Sequence, residues 1–265
     1  MFQFFKNLFI KANPKFKGKL SVIIPCFNSH EYLDRCLRSV IGQTYRNIEV
    51  ICIDDRSQDS TLEILEKYSN LDSRIKVIAK DKNLGSGNSR NMAISIATGD
   101  VVTFVDSDDY LSDNNFYQEC LDKLQKCGSD CLLTPYLRQK GQRISQDRFF
   151  NKKITTSTEA VNLYLARKFG THASCGKFFN KKILSQARYV EVGYSQDVIF
   201  MAEALDAAKT ITVYKRPGYV YFTDNFSATR PSVISDQHIF SSFRLLVEVL
   251  HFQKQKTLEG KTIDL

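Results

Sequence analysis

The chain of 265 residues has no apolar run that approaches the roughly 18 residues a spanning helix needs. Its seven cysteines form no CxxC pair, and its four histidines show no ligand spacing. That pattern argues against a zinc site or a disulfide frame and for the reduced thiols of a cytosolic protein. No G-x-G-x-x-G follows the first apolar run, and no G-x-x-x-x-G-K-[ST] occurs anywhere, which argues against a Rossmann dinucleotide site and a P-loop. No internal repeat is visible. The basic residues are spread out and carry no nucleic-acid motif, so nucleic acid is not expected as a partner.

What is present fits a soluble globular chain, with 43% hydrophobic and 25% charged residues and a length that holds one large domain or two small ones. The net charge of +8 and pI near 9.0 suit anionic partners, such as phosphorylated ligands or an anionic membrane surface. Residues 1–18 form an amphipathic N-terminal segment. Phe2, Phe4, Phe5, Leu8 and Phe9 share much of one helical side, with Lys6, Lys11, Lys15 and Lys17 interrupting or following them. The segment reads as an interfacial helix or as a helix packed on the domain, and not as a signal peptide, because no small-residue cleavage site follows it.

The stretch Val101–Tyr110 organises the rest. Five mostly β-branched or aromatic residues run into Asp106, Ser107, Asp108 and Asp109. The run reads as a strand buried on both faces, with its carboxylates at the carboxyl end, where open α/β sheets place ligands. Asp106 and Asp108 can converge on one point and suit Mg2+ or Mn2+. A capped turn before a helix is the alternative reading.

Upstream, Leu20–Pro25, Ile48–Ile53 and Ile75–Ala79 read as three further strands. Helices are expected behind Asn28, behind a Ser60–Glu63 capping box and from about Asn88, the last ended by Gly99. Four strand–helix alternations mean a mostly parallel sheet with helices on both faces. Right-handed crossovers then gather the loops that carry Asn28, Asp54, Asp55, Arg90 and the Asp106 cluster at one edge, as a nucleotide-type site. Beyond Ser112 the expected elements are a helix over 113–127, a strand over 130–137, a mobile loop over 141–156 and helices near 158–168 and 181–187. A helix behind Gln196, short strands over 211–214 and 219–222, and a helix over 235–254 complete the series.

With these residues in place, the chain resembles the family 2 glycosyltransferases. The resemblance runs from Ser21–Asn28 through Leu37–Thr44, Ile53–Thr61, Asn83–Gly85 and Ser89–Asn91 to Asp106–Asp109. It is weaker at Gly176–Phe178, Gln196–Asp197 and Tyr221–Thr229. It implies the GT-A fold, with residues 19–232 as the catalytic domain, 19–112 as its nucleotide half, 113–232 as its acceptor half and 233–265 as a C-terminal helical segment. The activity implied is an inverting transfer of a sugar from a nucleotide donor, expected to be a UDP-sugar, to a hydroxyl of a glycan or lipid-linked acceptor in cell-surface polysaccharide synthesis.

The resemblance also assigns roles. Pro25, Phe27, Asn28, Asp54, Asp55, Gly85, Arg90, Asp106 and Ser107 would bind the nucleotide. Asp108, with Asp106, would hold Mn2+ or Mg2+, and Asp197 would be the base. Gln196 stands where the family often has Glu. Lys177 is expected to contact phosphate or acceptor, or else to be a surface lysine. His172 and Arg230 are weaker candidates near the diphosphate. The expected location is cytoplasmic, with possible peripheral contact with an anionic inner membrane face. A nucleotidyltransferase and a non-catalytic nucleotide-sugar-binding module are the alternatives.

Overall fold

The structure is a computed structural model that describes residues 15–146, 149, 154–166, 168, 173–190, 196–223 and 236–263, with side chains from 245 onward in the last segment. The first part alternates β1 (Leu20–Cys26), α1 (His30–Ile41), β2 (Ile48–Asp54), α2 (Thr61–Leu71), β3 (Ile75–Ala79), α3 (Gly85–Ile96) and β4 (Val101–Phe104). β1 and β2 are buried along their whole length, as unbroken apolar runs in a parallel sheet require. Helix α1 buries Leu33, Cys36, Leu37 and Val40, the stripe its spacing implies.

The second part holds β5 (Tyr110–Leu111), α4 (Phe116–Cys127), β6 (Cys131–Leu133), β7 (Tyr136–Lys140), β8 (Arg143–Gln146), α5 (Ser157–Leu165) and β9 (Phe178–Asn180). A 3-10 turn over Lys181–Gln186, α6 (Asp197–Ala207), β10 (Ile211–Val213), β11 (Tyr219–Phe222) and α7 (Asp236–Leu258) follow. The large sheet has the order β10-β6-β9-β4-β1-β2-β3, and a smaller one the order β5-β11-β7-β8. β1 is parallel to β2 and β4, and β2 to β3; β9 runs antiparallel to β4 and β6. The α/β class with a mostly parallel sheet is therefore as expected.

Strands of the second part extend the large sheet, where β9 pairs with β4, and make up the small one, where β11 pairs with β5. Phe104 at the end of β4 meets Phe179, Tyr189 and Phe200 edge-on at 5.4–5.9 Å. Each such pair adds about 0.5–1.5 kcal/mol beyond area burial. At the amino end of the sheet, buried Glu49 accepts from the Ser21 hydroxyl at 2.7 Å, from Lys76 Nζ at 2.9 Å and from the Thr98 amide at 2.6 Å.

Several local expectations are corrected. Ser60 makes no side-chain cap; Asp59 Oδ1 accepts from the Thr61 amide at 2.9 Å instead. Helix α3 ends at Ile96, and Gly99 is small because a Cβ there would meet Ser21 Oγ at 2.6 Å and its amide at 2.7 Å. The strand expected over 130–137 is two strands parted at Thr134–Pro135, since Pro has no N–H for a ladder. Part of the loop expected over 141–156 is β8, which returns along β7 after Gly141 at φ +57°. The segment 181–187 is a 3-10 turn and not an α-helix. Residues 1–14, His172, Ser195 and Arg230 lie outside the described residues. Among the described residues no helix is long and apolar enough to cross a membrane.

Candidate active site

The loops after β1, β2, β3 and β4 meet at the carboxyl edge of the sheet. Pro25 sits inside β1 opposite Ile53, and Phe27, just past the strand, is 45% exposed. Asn28 adopts φ +47°, a conformation Asn tolerates better than most residues. It ties the first two loops together, its amide donating to Ser57 Oγ at 3.0 Å and its Oδ1 accepting from the Gln58 amide at 2.8 Å. The Ser29 and Ser107 hydroxyls share a hydrogen bond of 2.6 Å, which fixes the fourth loop to the first.

Asp54 and Asp55 differ in use. Asp54 accepts from the hydroxyl and amide of Ser57 at 2.5 and 3.1 Å, which shapes its own turn. Asp55 is buried, pairs with Lys80 Nζ at 2.5 Å, and accepts from the amides of Leu84 at 3.0 Å and Gly85 at 2.7 Å. It thereby holds the start of α3, where a carboxylate is favoured by the helix dipole. Gly85 stands at φ +85°, and Gly87 leaves room for Gln196, whose side chain a Cβ at 87 would overlap. Ser86 Oγ reaches Gln196 Oε1 at 3.5 Å.

Arg90 is the hinge of the arrangement. It is 5% exposed, and its Nη2 pairs with Asp106 Oδ1 at 2.6 Å. The guanidinium lies 5.2 Å over the Tyr189 ring, which stacks on Phe200 at 4.1 Å. Burial pulls its pKa down, but the charges of Asp106 and then Asp197 outweigh that and hold it well above the usual value. A permanent cation therefore pairs with a carboxylate of the fourth loop and feels the charge of one at the start of α6. Its Nε is buried with no hydrogen-bond partner among the described residues.

Asp197 opens α6, and its Oδ1 accepts from the Ser174 hydroxyl at 2.6 Å and amide at 3.2 Å. Tyr189 donates to the same Ser174 hydroxyl at 2.7 Å. Asp109 is fully buried; Oδ2 accepts from the Tyr219 hydroxyl and Oδ1 from the Phe222 amide at 2.8 Å. Burial, then the charges of Asp108 and Asp106, push its carboxyl well above the usual range.

Lys177 is not a surface lysine. It is 1% exposed, lies 4.5 Å over the Tyr136 ring and donates to the Tyr136 hydroxyl at 3.3 Å. Burial pushes its ammonium down to about 8. A cavity of about 620 Å³, lined by Ser129, Ile154, Thr156, Lys209, Ile211 and Lys215, opens beside β10, and none of the candidate residues lines it.

Asp106 and Asp108 offer hard oxygen donors to Mg2+ or Mn2+. Asp106 already shares Oδ1 with Arg90, and among the described residues no three His, Cys, Asp or Glu side chains gather for an ion. The donor set fits a cation completed by phosphate and water, not a cage made wholly by protein.

Ser174, Tyr189 and Lys80 join this assembly without having been expected from the sequence, and Asp109, expected only as part of the acidic run, is its buried anchor. Lys80 had one available signal, a cation directly after the third strand.

The family model for Glycosyl transferase family 2 matches residues 21–187. Glycosyltransferase GlyG of Streptococcus pneumoniae serotype 4 is 37% identical over 107 residues, which cover 39% of this chain and 36% of that one. Poly(ribitol-phosphate) beta-N-acetylglucosaminyltransferase TarS of Staphylococcus aureus is 30% identical over 240 residues, covering 88% of this chain and 41% of TarS. The chain thus spans less than half the length of these two relatives. The crystal structure of S. aureus TarS 1-349 in complex with UDP-GlcNAc matches with a TM-score of 0.72 at 27% identity, covering 88% of this chain and 66% of that one. A mannosyltransferase from Pyrobaculum calidifontis solved with GDP-Man and Mn2+ shares the fold, with a TM-score of 0.58 at 14% identity.

Proposed function

Since the chain belongs to glycosyl transferase family 2, we propose that it moves a sugar from a UDP-linked donor to a hydroxyl of a glycan or lipid-linked acceptor, with inversion at the anomeric carbon. The observation that carries this reading is Arg90, which pairs with Asp106 from one half of the chain and lies over Tyr189, whose hydroxyl donates to the Ser174 that holds Asp197 in the other. A permanent cation beside an acidic loop and a carboxylate at a helix start is what a diphosphate leaving group and an acceptor proton need together.

In this reading the uracil lies against Phe27 at the loop that Asn28 and Asp55 organise. Asp55 contributes through its own oxygens and through the α3 start it holds. Arg90 serves the diphosphate as a cation whose fork is fixed by Asp106 and Ser86. Asp106 and Asp108 hold Mn2+ or Mg2+, which supplies charge stabilisation to the departing UDP oxygen when bound. Asp197 takes the proton of the acceptor hydroxyl as the new bond to the anomeric carbon forms and the bond to UDP breaks. Gln196, against Ser86 and Gly87, borders the acceptor side.

UDP-GlcNAc, bound by the TarS structure, is the first donor to try. A thermal-shift panel of UDP-, GDP- and dTDP-sugars with and without Mn2+ tests the reading. A shift confined to UDP compounds and enlarged by Mn2+ is expected. Equal response to all bases, or none to any, overturns it.

A further inference from the structure

Arg35 has no part in the donor, metal or acceptor roles above. It stands on α1, one turn into the helix, and its Nη2 donates to the backbone carbonyl of Asp108 at 2.8 Å. Its guanidinium lies 4.6 Å from the Tyr110 ring centroid and 4.2 Å from that of Phe222, with Tyr32 at 5.9 Å. Each of these rings is itself held. The Tyr110 hydroxyl donates to Gln139 Oε1 at 2.5 Å, the Phe222 amide donates to Asp109 Oδ1 at 2.8 Å, and the Tyr32 and Phe222 rings pack at 5.7 Å.

One guanidinium therefore joins four parts of the chain: α1, the acidic loop, β5 and β11. Only Arg among the cations can stack through its faces and donate in its plane at the same time. The contact at the acidic loop is with the main chain, so it sets the peptide plane that follows Asp108. That plane restrains ψ at Asp108, one of the two backbone angles that set where its side chain leaves the backbone. The Nε of Arg35 is buried and has no hydrogen-bond partner among the described residues, so placing this group costs solvation that a purely apolar filler would not.

We infer that Arg35 is a positioning residue for the Asp108 carboxylate: it clamps the Asp108 carbonyl while wedged against Tyr110 and Phe222. The inference rests on the reading that Asp108 holds a divalent cation on the donor diphosphate, and it deepens that reading by naming what holds Asp108. Because Phe222 closes β11, the same clamp links the acidic loop to the second sheet.

The test is isothermal titration of UDP into the full chain with and without Mn2+, for wild type, Arg35→Met and Arg35→Lys. Wild type is expected to bind UDP more tightly with Mn2+. Arg35→Met loses about tenfold of that gain, the size typical of losing a group that orients a metal ligand. Arg35→Lys loses less, since an ammonium still reaches the carbonyl, and it carries the test if the Met variant fails to fold. UDP affinity without metal stays at the wild-type value in both.

A merely structural Arg35 lowers both affinities together. Equal losses with and without Mn2+, or a variant whose Mn2+ gain matches wild type, overturn the inference. A wild-type chain whose UDP affinity Mn2+ does not raise overturns the metal reading beneath it. Which protein shows the failure tells the two apart.

Discussion

Asp197 and Ser174 make a two-point contact: the carboxylate Oδ1 of one accepts from both the hydroxyl and the amide of the other, at 2.6 and 3.2 Å. Only Oδ1 is used in this contact. The carboxylate is thus oriented from behind, with its second oxygen not engaged by Ser174, as a base that must meet an acceptor hydroxyl requires. Arg90 is close enough for its charge to feel Asp197.

Asp197→Asn should keep the shape of this contact and remove the proton acceptor. Turnover is expected to fall by about 10²–10⁴, the usual share of a general base, while UDP affinity stays unchanged. Steady-state transfer measured beside UDP titration checks it. Measurable turnover that Asp197→Asn leaves unchanged would remove Asp197 as the base; UDP binding with no transfer by either protein would assign the chain to a binding module.

Ser174→Ala leaves Asp197 its charge but takes away the hydroxyl that orients it. It also strands the Tyr189 hydroxyl, which donates to Ser174 at 2.7 Å. A loss of about tenfold in kcat is expected, smaller than for Asp197→Asn, because misorientation costs less than removal of the base. Ser174→Thr keeps a hydroxyl and should restore part of the rate; a Thr variant as slow as Ala would point to packing instead.

Glu49 lies at the opposite end of the sheet and should affect stability alone. Burial pushes its pKa up, but hydrogen bonds from Ser21, Lys76 and Thr98 outweigh that and hold the carboxyl well below its usual range. A depressed carboxyl stabilises the fold above the unfolded value of 4.5 and loses that contribution as pH falls below it. Glu49→Gln is expected to cost about 1–3 kcal/mol at neutral pH and to flatten the loss of stability below pH 4.5. Urea melts of both proteins along an acid series measure the two effects.

The first half was legible because its signals are local. The runs at Leu20–Pro25, Ile48–Ile53 and Val101–Val105 are long enough to read as buried strands, and acidic residues directly follow the last two. The second half hides its structure in short pieces. β9 has three residues and β6 three, too few for any periodicity, and Pro135 cuts what read as one strand. Ser174 meets a carboxylate 23 residues away, and the Tyr189 backbone exchanges two hydrogen bonds with the Asn91 side-chain amide across 98. No composition or spacing announces such pairs. Lys177 shows the limit most plainly, since a lysine is read as solvated unless an aromatic wall elsewhere in the chain encloses it.

That enclosure makes the last expectation. Burial lowers the Lys177 ammonium to about 8 from an ordinary 10.5, with the charges of Cys175, Asp197 and Cys131 pulling weakly the other way. Between those two values the unfolded chain holds a proton that the folded chain has released. Stability should therefore rise with pH across that window and show no slope from this group below about 8. Lys177→Met removes the titration and fills similar space along the Tyr136 ring. At pH 7 it also removes the cost of burying an ammonium, against the loss of two long hydrogen bonds at 3.3 and 3.4 Å, so neutral or improved stability is expected. The quantity to measure is the difference between the two unfolding free energies from pH 7 to 10.5. Buried tyrosines such as Tyr117 and Tyr189, whose pKa burial raises, impose the opposite slope on both proteins and cancel in that difference. A difference that stays flat over the window would mean that Lys177 titrates as an ordinary lysine and that its ammonium keeps its water.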